Sequence, residues 1–249
     1  MTAHLQLNEL EVSFDGFKAV NGLSLNVQRG ELRCLLGANG AGKSTTLDLV
    51  CGKTAPTSGE IIFNGQAVHR IPEYRRARLG IGRKFQVPTV FRELTVAQNL
   101  EVARSQAPGP WAALRQLGFR RSERFGEVVE LVGLQDRLDV RAQYLSHGET
   151  QWLEIAMLLM QNSELILMDE PTAGMTIAET AKTSEILNAL RGQHTLIVVE
   201  HDMSFVREIA EVISVLHQGR LLAEGSLQEI ENDPKVREAY LGSGGIGHA

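Results

Sequence analysis

The chain has 249 residues, 43% hydrophobic and 22% charged, with a net charge of −5, enough for one full core or two lobes. That balance belongs to a globular protein and argues against a nucleic-acid binder relying on a broad basic surface. No apolar run approaches the roughly 20 residues needed to span a bilayer, and the opening MTAHLQLNELEV lacks the basic-then-apolar layout of a secretion signal.

Residues 5–28 hold two alternating stretches, LQLNELEVSF and LSLNV, separated by DGFKAVNG, the pattern of an antiparallel β-region. LRCLLG (32–37) is a continuous apolar run, expected to be a strand buried on both faces. KSTTLDLVCG reads as a helix with Leu47, Val50 and Cys51 on one side and Gly52 as its stop. Cys34 and Cys51, the only cysteines, lie in apolar runs and read as small buried hydrophobes of a reducing compartment. TSGEIIFNGQAV is expected to form a hairpin turning at Asn64-Gly65.

From about Thr95 the pattern becomes helical. SERFGEVVELVG places Phe125, Val128, Val129 and Val132 at i, i+3, i+4 and i+7, with Gly133 as the stop. The preceding SQAPGPWAALRQLGFRR is poorly patterned and reads as a loop, and Arg104, Arg115, Arg120, Arg121 and Arg124 read as a solvated face. LSHGETQ (145–151) opens the apolar run WLEIAMLLM, with Ser146 as N-cap and Glu149 completing a capping box. Gly148 inside that first turn costs helix propensity, which points to something approaching the backbone there.

From 164 strand and helix alternate: ELILM, IAETAKTSEILNAL, TLIVVE and DMSFVREIAEV. VISVLHQGRLLAEG is a second hairpin, at Gln218-Gly219, and Ser226 with Glu229 opens a last helix before the flexible tail SGGIGHA. The expected architecture is one α/β domain. Residues 1–87 and 161–242 form the core with its antiparallel β-region, 88–160 an inserted helical subdomain, and 243–249 the tail.

GANGAGKST (37–45) fits G-x-x-x-x-G-K-[ST] in full, follows a strand and opens a helix. Such a loop wraps its backbone amides around nucleotide phosphates, and the helix start adds favourable partial charge. Gly37, Asn39, Gly40, Ala41, Gly42, Lys43, Ser44 and Thr45 are the candidate ATP contacts. Lys43 would pair with the β- and γ-phosphates, and Ser44 would hold Mg²⁺. LILMDE (165–170) is a buried strand ending in two acids, which is costly unless a cation or hydrogen bonds satisfy them. Asp169 is the candidate Mg²⁺ support and Glu170 the group that orients or deprotonates the attacking water.

GANGAGKST, the glutamine of RKFQ, LSHGETQ, LILMDEPTAG and VVEHD stand in the order found in ATP-binding subunits of ABC transporters, and the resemblance runs from about residue 5 to 242. It implies the P-loop NTPase fold of these ATPases, and two subunits that sandwich two ATP molecules. Each ATP then lies between the phosphate loop of one chain and the signature stretch of the other, here Ser146, His147, Gly148 and Glu149. Gln86 would sit near Mg²⁺ and the water and sense the membrane partner. His201 would contact the γ-phosphate and fix Glu170. Phe14 is either the aromatic that stacks on adenine or a strand residue of the core.

The family usually has Asp where AGMT places Thr176; Thr176 with Glu179 still forms a capping box, so helix initiation survives while a negative charge is lost. LSHGETQWLEIAMLLM, AGMT and DPKVREAYLG look most like the branched-chain amino-acid and amide importers, the urea branch above all. The implied partners are a second ATP-binding subunit, a permease and, indirectly, an extracytoplasmic solute-binding protein, with no nucleic acid. The implied place is the cytoplasmic face of the membrane. An exporter subunit and an ABC ATPase of DNA repair or translation are the alternatives. The latter usually carries coiled-coil inserts, zinc-binding cysteines or a second ATPase module; a small-molecule kinase would leave LSHGETQ unexplained.

Overall fold

The computed structural model describes residues 3–84, 89–104 and 123–241. Strands β1 (Leu5–Phe14) and β2 (Phe17–Val27) pair antiparallel, and β1 also pairs with β4 (Ser58–Phe63), which turns into β5 (Gln66–Ala67). The resulting sheet has the order β2-β1-β4-β5. The Asn64-Gly65 turn is as expected. The first hairpin is not: of DGFKAVNG only Asp15 and Gly16 turn, and β2 resumes at Phe17. Alternation hid this, because Ala19 and Val20 are both buried and the register shifts at three places along the pair.

The second sheet has the order β10-β9-β3-β8-β7-β6, from β3 (Leu32–Leu36), β6 (Ile81–Lys84), β7 (Leu165–Asp169), β8 (Thr195–Val199), β9 (Val212–His217) and β10 (Arg220–Gly225). All neighbours run parallel except β9 and β10, the expected hairpin. The apolar runs of β3, β7 and β8 are explained by two cores that share this sheet. Leu32, Cys34, Ile166, Met168, Leu196 and Val198 face the helical core, whereas Leu35, Leu165, Leu167, Ile197 and Val199 face the core under the antiparallel sheet. Cys34 and Cys51 are buried as expected.

Helix α1 (Lys43–Cys51) follows β3 and stops at Gly52. The short α2 (Glu73–Arg78) and edge strand β6 were not foreseen, and a buried guanidinium accounts for α2. Arg76 is 2% exposed and donates to the carbonyls of Leu49 (2.6 Å), Val50 (3.0 Å), His69 (3.1 Å) and Ile71 (2.7 Å). It thereby satisfies two carbonyls that the end of α1 leaves open, those of Leu49 and Val50, and ties the segment before α2 to them.

Between β6 and β7 come α3 (Val96–Arg104), α4 (Glu123–Val132) and α5 (His147–Met160). Helix α4 buries the four residues its periodicity selected, each worth about 1.5–3 kcal/mol relative to exposure. Arg124 is exposed and donates to the Leu159 carbonyl. Then follow α6 (Ile177–Leu190), α7 (Met203–Ile209), α8 (Leu227–Asn232) and α9 (Pro234–Leu241). Helix α7 is shorter than DMSFVREIAEV suggested, since Ala210 turns extended and the chain enters β9. The expectations for Gln86, for the loop at 105–121 and for the tail lie outside the described residues.

Candidate functional site

The phosphate loop leaves β3 at the middle of the parallel sheet and enters α1. Gly42 is the N-cap at φ 100°, and a Cβ there would strike the Ala19 carbonyl. No side chain caps α1, so its first amides remain free in the mouth of the loop. Lys43 folds back onto the loop, donating from Nζ to the carbonyls of Gly37 (2.6 Å) and Ala38 (3.0 Å). Burial pushes its ammonium below the usual lysine range, while Glu170 and Asp169 pull the other way. Asn39, Gly40 and Ser44 are exposed, Gly37 and Thr45 half-buried, and Ala41 and Gly42 buried.

Asp169 closes β7, two strands from β3, and is 4% exposed. Its Oδ2 lies 3.6 Å from Arg83, while its Oδ1 is buried with no hydrogen-bond partner among the described residues. Such an orphaned carboxylate oxygen beside a lysine and a phosphate loop fits a metal ion or its bound water. Among the described residues no cluster of three or more His, Cys, Asp or Glu side chains could hold a metal. An ion here would take its remaining ligands from Ser44, water and nucleotide oxygens.

Glu170 sits at φ 47°, a left-handed conformation rare for a side chain of this size, fixed by its N–H donating to the Val199 carbonyl at 2.9 Å. The turn aims the carboxylate at His201, whose Nδ1 is 3.6 Å from Oε1. The His201 ring is 69% exposed, available to a ligand rather than packed. A residue that sequence reading passed over holds this corner. Glu200, 1% exposed, accepts from the Thr172 hydroxyl (2.7 Å) and amide (3.3 Å) and from the His201 amide (3.2 Å). It ties the loop after Glu170 to the end of β8; a buried acid beside HD in VVEHD was its only local signal.

Beside the loop a cleft of about 530 Å³ is lined by Phe17, Lys18, Asn39, Gly40, His217 and Arg220 among others. Phe17 is 66% exposed. Phe14 pairs with it across the Asp15-Gly16 turn but is not among the residues lining the cleft. Reading DG as a two-residue hairpin turn would have paired the two aromatics and brought Phe17 forward.

The signature stretch opens α5 as expected. Ser146 Oγ accepts from the Glu149 amide at 3.1 Å, and the Ser146 amide donates to Glu149 Oε2 at 2.8 Å. His147 Nε2 lies 3.0 Å from the Ala173 carbonyl, joining the signature to the loop after Glu170. Glu179 of α6 reaches the same place, accepting from Ser146 Oγ and from the Gly148 amide, both at 3.1 Å. Thus Lys43, Asp169, Glu170 and His201 converge. No hydrogen bond or ion pair among the described residues joins the stretch Ser146–Glu149 to the phosphate loop.

The family profile described as ABC transporter matches residues 20–173, and one described as branched-chain amino acid ATP-binding cassette transporter matches 220–246. The high-affinity branched-chain amino acid transport ATP-binding protein LivG of Salmonella typhimurium is 37% identical over 96% of this chain and 97% of its own. The lipopolysaccharide export system ATP-binding protein LptB of Acidithiobacillus ferridurans is 33% identical over 97% and 98%. A solved ATP-binding cassette of an ABC transporter in its ADP conformation is similar at TM-score 0.83 and 27% identity, covering 97% of this chain and all of that one. The chain therefore belongs to the ABC transporter family, as an ATP-binding cassette whose activity is ATP hydrolysis coupled to transport.

Proposed function

We propose that this chain drives solute uptake as one of a pair of ATP-binding subunits docked on a membrane permease. The observation that carries this reading is the convergence of Lys43, Asp169, Glu170 and His201 in one chain, while Ser146 and Gly148 make no hydrogen bond to any of these four among the described residues. Half of the phosphate contacts then come from a second subunit, so hydrolysis requires the pair to close.

In the closed pair the amides of Gly40, Gly42 and Lys43 cradle the phosphates, and Lys43 leaves the carbonyls of Gly37 and Ala38 for the γ-phosphate. Phe17, which lines the cleft beside the loop, stacks on the base in place of the Phe14 expected from sequence. Mg²⁺, when bound, would neutralise phosphate charge; Ser44 and Asp169, whose Oδ1 is buried without a hydrogen-bond partner among the described residues, would hold it, with Gln86 as the expected third group. Glu170 takes the proton of a water that attacks the γ-phosphorus in line, the bond to the bridging oxygen breaks, and ADP and phosphate leave. His201 holds Glu170 and the γ-phosphate in register, Glu200 holds His201, and Ser146 with Gly148 of the partner bind the γ-phosphate from the far side.

Among the described residues no helix is long and apolar enough to cross a membrane. The ABC transporter match and the LivG relative support a peripheral subunit on the cytoplasmic face. The LivG relative and the C-terminal branched-chain match support import of branched-chain amino acids or amides, with an extracytoplasmic binding protein supplying the solute. The wording of LSHGETQWLEIAMLLM and AGMT favours urea within that class. The LptB relative is the one observation that favours an exporter. Uptake of labelled urea, short amides and branched-chain amino acids, in cells with and without the chain, separates these readings. Loss of urea uptake alone supports the urea branch, loss of leucine uptake the branched-chain type, and no change in any of them overturns import.

A further inference from the structure

Both capping boxes at the signature are complete without one oxygen. Ser146 and Glu149 cap α5 reciprocally, and Thr176 caps α6 with Oε2 of Glu179, which accepts from the Thr176 amide and hydroxyl, each at 3.0 Å. Oε1 of Glu179 is redundant to both, yet it takes the hydroxyl hydrogen of Ser146 and the amide hydrogen of Gly148. Those are the two donors that the proposed function assigns to a partner's γ-phosphate. A Cβ on Gly148 would fall on the Glu179 carboxylate, so the bare backbone admits a carboxylate of its own chain.

We propose that Glu179 is a latch: its carboxylate occupies the phosphate-binding donors of the signature within the same chain and must swing aside before the partner's ATP can engage them. Each donor has a single hydrogen, so carboxylate and phosphate compete for it, and two anionic oxygens drawn to the same hydrogen repel. Rotation of the side chain carries both oxygens away, yet the Thr176 hydroxyl still accepts from the Glu179 amide at 3.3 Å, so Oε1 is freed without unwinding α6. The latch keeps an otherwise attractive anion site satisfied in the lone subunit and makes closure wait for a γ-phosphate that binds better than a carboxylate does.

This inference rests on the signature being the phosphate site of the opposite subunit, and its test separates the two. In a Glu170→Gln background, where hydrolysis is suppressed, the ATP concentration giving half-maximal dimer is measured by size exclusion with light scattering. Adding Glu179→Gln keeps the length of the side chain and an acceptor for Thr176 but removes the charge. The concentration needed should fall by roughly three- to thirtyfold, the effect of one lost competitor for two donors. Glu179→Ala should shift it in the same direction, which covers the case of a glutamine amide binding Ser146 anew. An unchanged or raised requirement in both variants overturns the latch, as does a lowered melting temperature without any gain in dimer, the mark of a purely structural tie. Ser146→Arg in the same background should abolish the dimer while ATP binding by the monomer persists. If that variant dimerises normally, the signature does not bind the partner's phosphate, and the latch falls with that reading.

Discussion

Two helices of this chain begin where the proposed cycle meets phosphate, and they begin in opposite states. Helix α1 opens on Gly42 with no side-chain cap, an exposed mouth and a lysine parked on loop carbonyls. Helix α5 opens on a complete capping box with a second carboxylate, that of Glu179, laid over it. Free amides at α1 form an anion site ready in a single subunit, whereas the donors of α5 are spent until something stronger arrives. In the proposed cycle the contrast implies an order: nucleotide enters at α1 first, and α5 engages it afterwards.

The largest effect expected from breaking this contrast lies at Glu170, which serves the open site. Glu170→Gln keeps the donors of α1 and the position of Lys43, so nucleotide binding should persist. Turnover should fall by about 10²–10⁴-fold, because the water loses its proton acceptor. A dimer should then accumulate with ATP on size exclusion. Turnover within a factor of two of the parent would remove Glu170 from the chemistry and leave its left-handed backbone unexplained.

The next effect concerns the far end of the same helix. Helix α1 is uncapped where ligand enters and capped where it ends, by the Arg76 guanidinium on the Leu49 and Val50 carbonyls, and the same guanidinium holds the His69 and Ile71 carbonyls before α2. Arg76→Met fills similar volume but leaves those carbonyls without their donor, at a cost of about 2–4 kcal/mol. Urea unfolding of the nucleotide-free protein checks this through a lower midpoint at unchanged slope. A loss below about 0.5 kcal/mol would mean that water replaces the guanidinium there.

What was readable in advance was what is local. GKST, the NG and QG turns, the two-faced burial of LRCLL and the boxes at Ser146, Thr176 and Ser226 each carry their reason within a few residues, and each formed as expected. What escaped depends on partners far along the chain. Helix α2 exists because Arg76 reaches α1, some 26 residues away; Glu200 matters because Thr172 bonds it, and Glu179 because α6 packs beside α5. Gly148 shows the limit best. Its missing side chain signalled a close approach, but the group found there is Glu179 of the same chain, which no pattern in LSHGETQ announces.

The smallest expected effect lies at the rim of the open site. Phe17 lines the cleft beside Asn39 and Gly40, while Phe14, its partner across the turn, does not. Stacking of a base on an aromatic ring is worth about 1–3 kcal/mol, so Phe17→Ala should weaken ATP binding by roughly five- to a hundredfold. Phe14→Ala should change it by less than about twofold, since that ring contributes no surface to the cleft. Fluorescent-nucleotide titration of the two variants side by side makes the comparison internal, because both lose an exposed phenyl from the same hairpin tip. If Phe14→Ala instead carries the larger loss, the base lies on the opposite side of the turn, and Lys18 and Arg220 bound a different subsite. Equal losses would mean that the hairpin tip closes over the base as a unit, with the Asp15-Gly16 turn as its hinge.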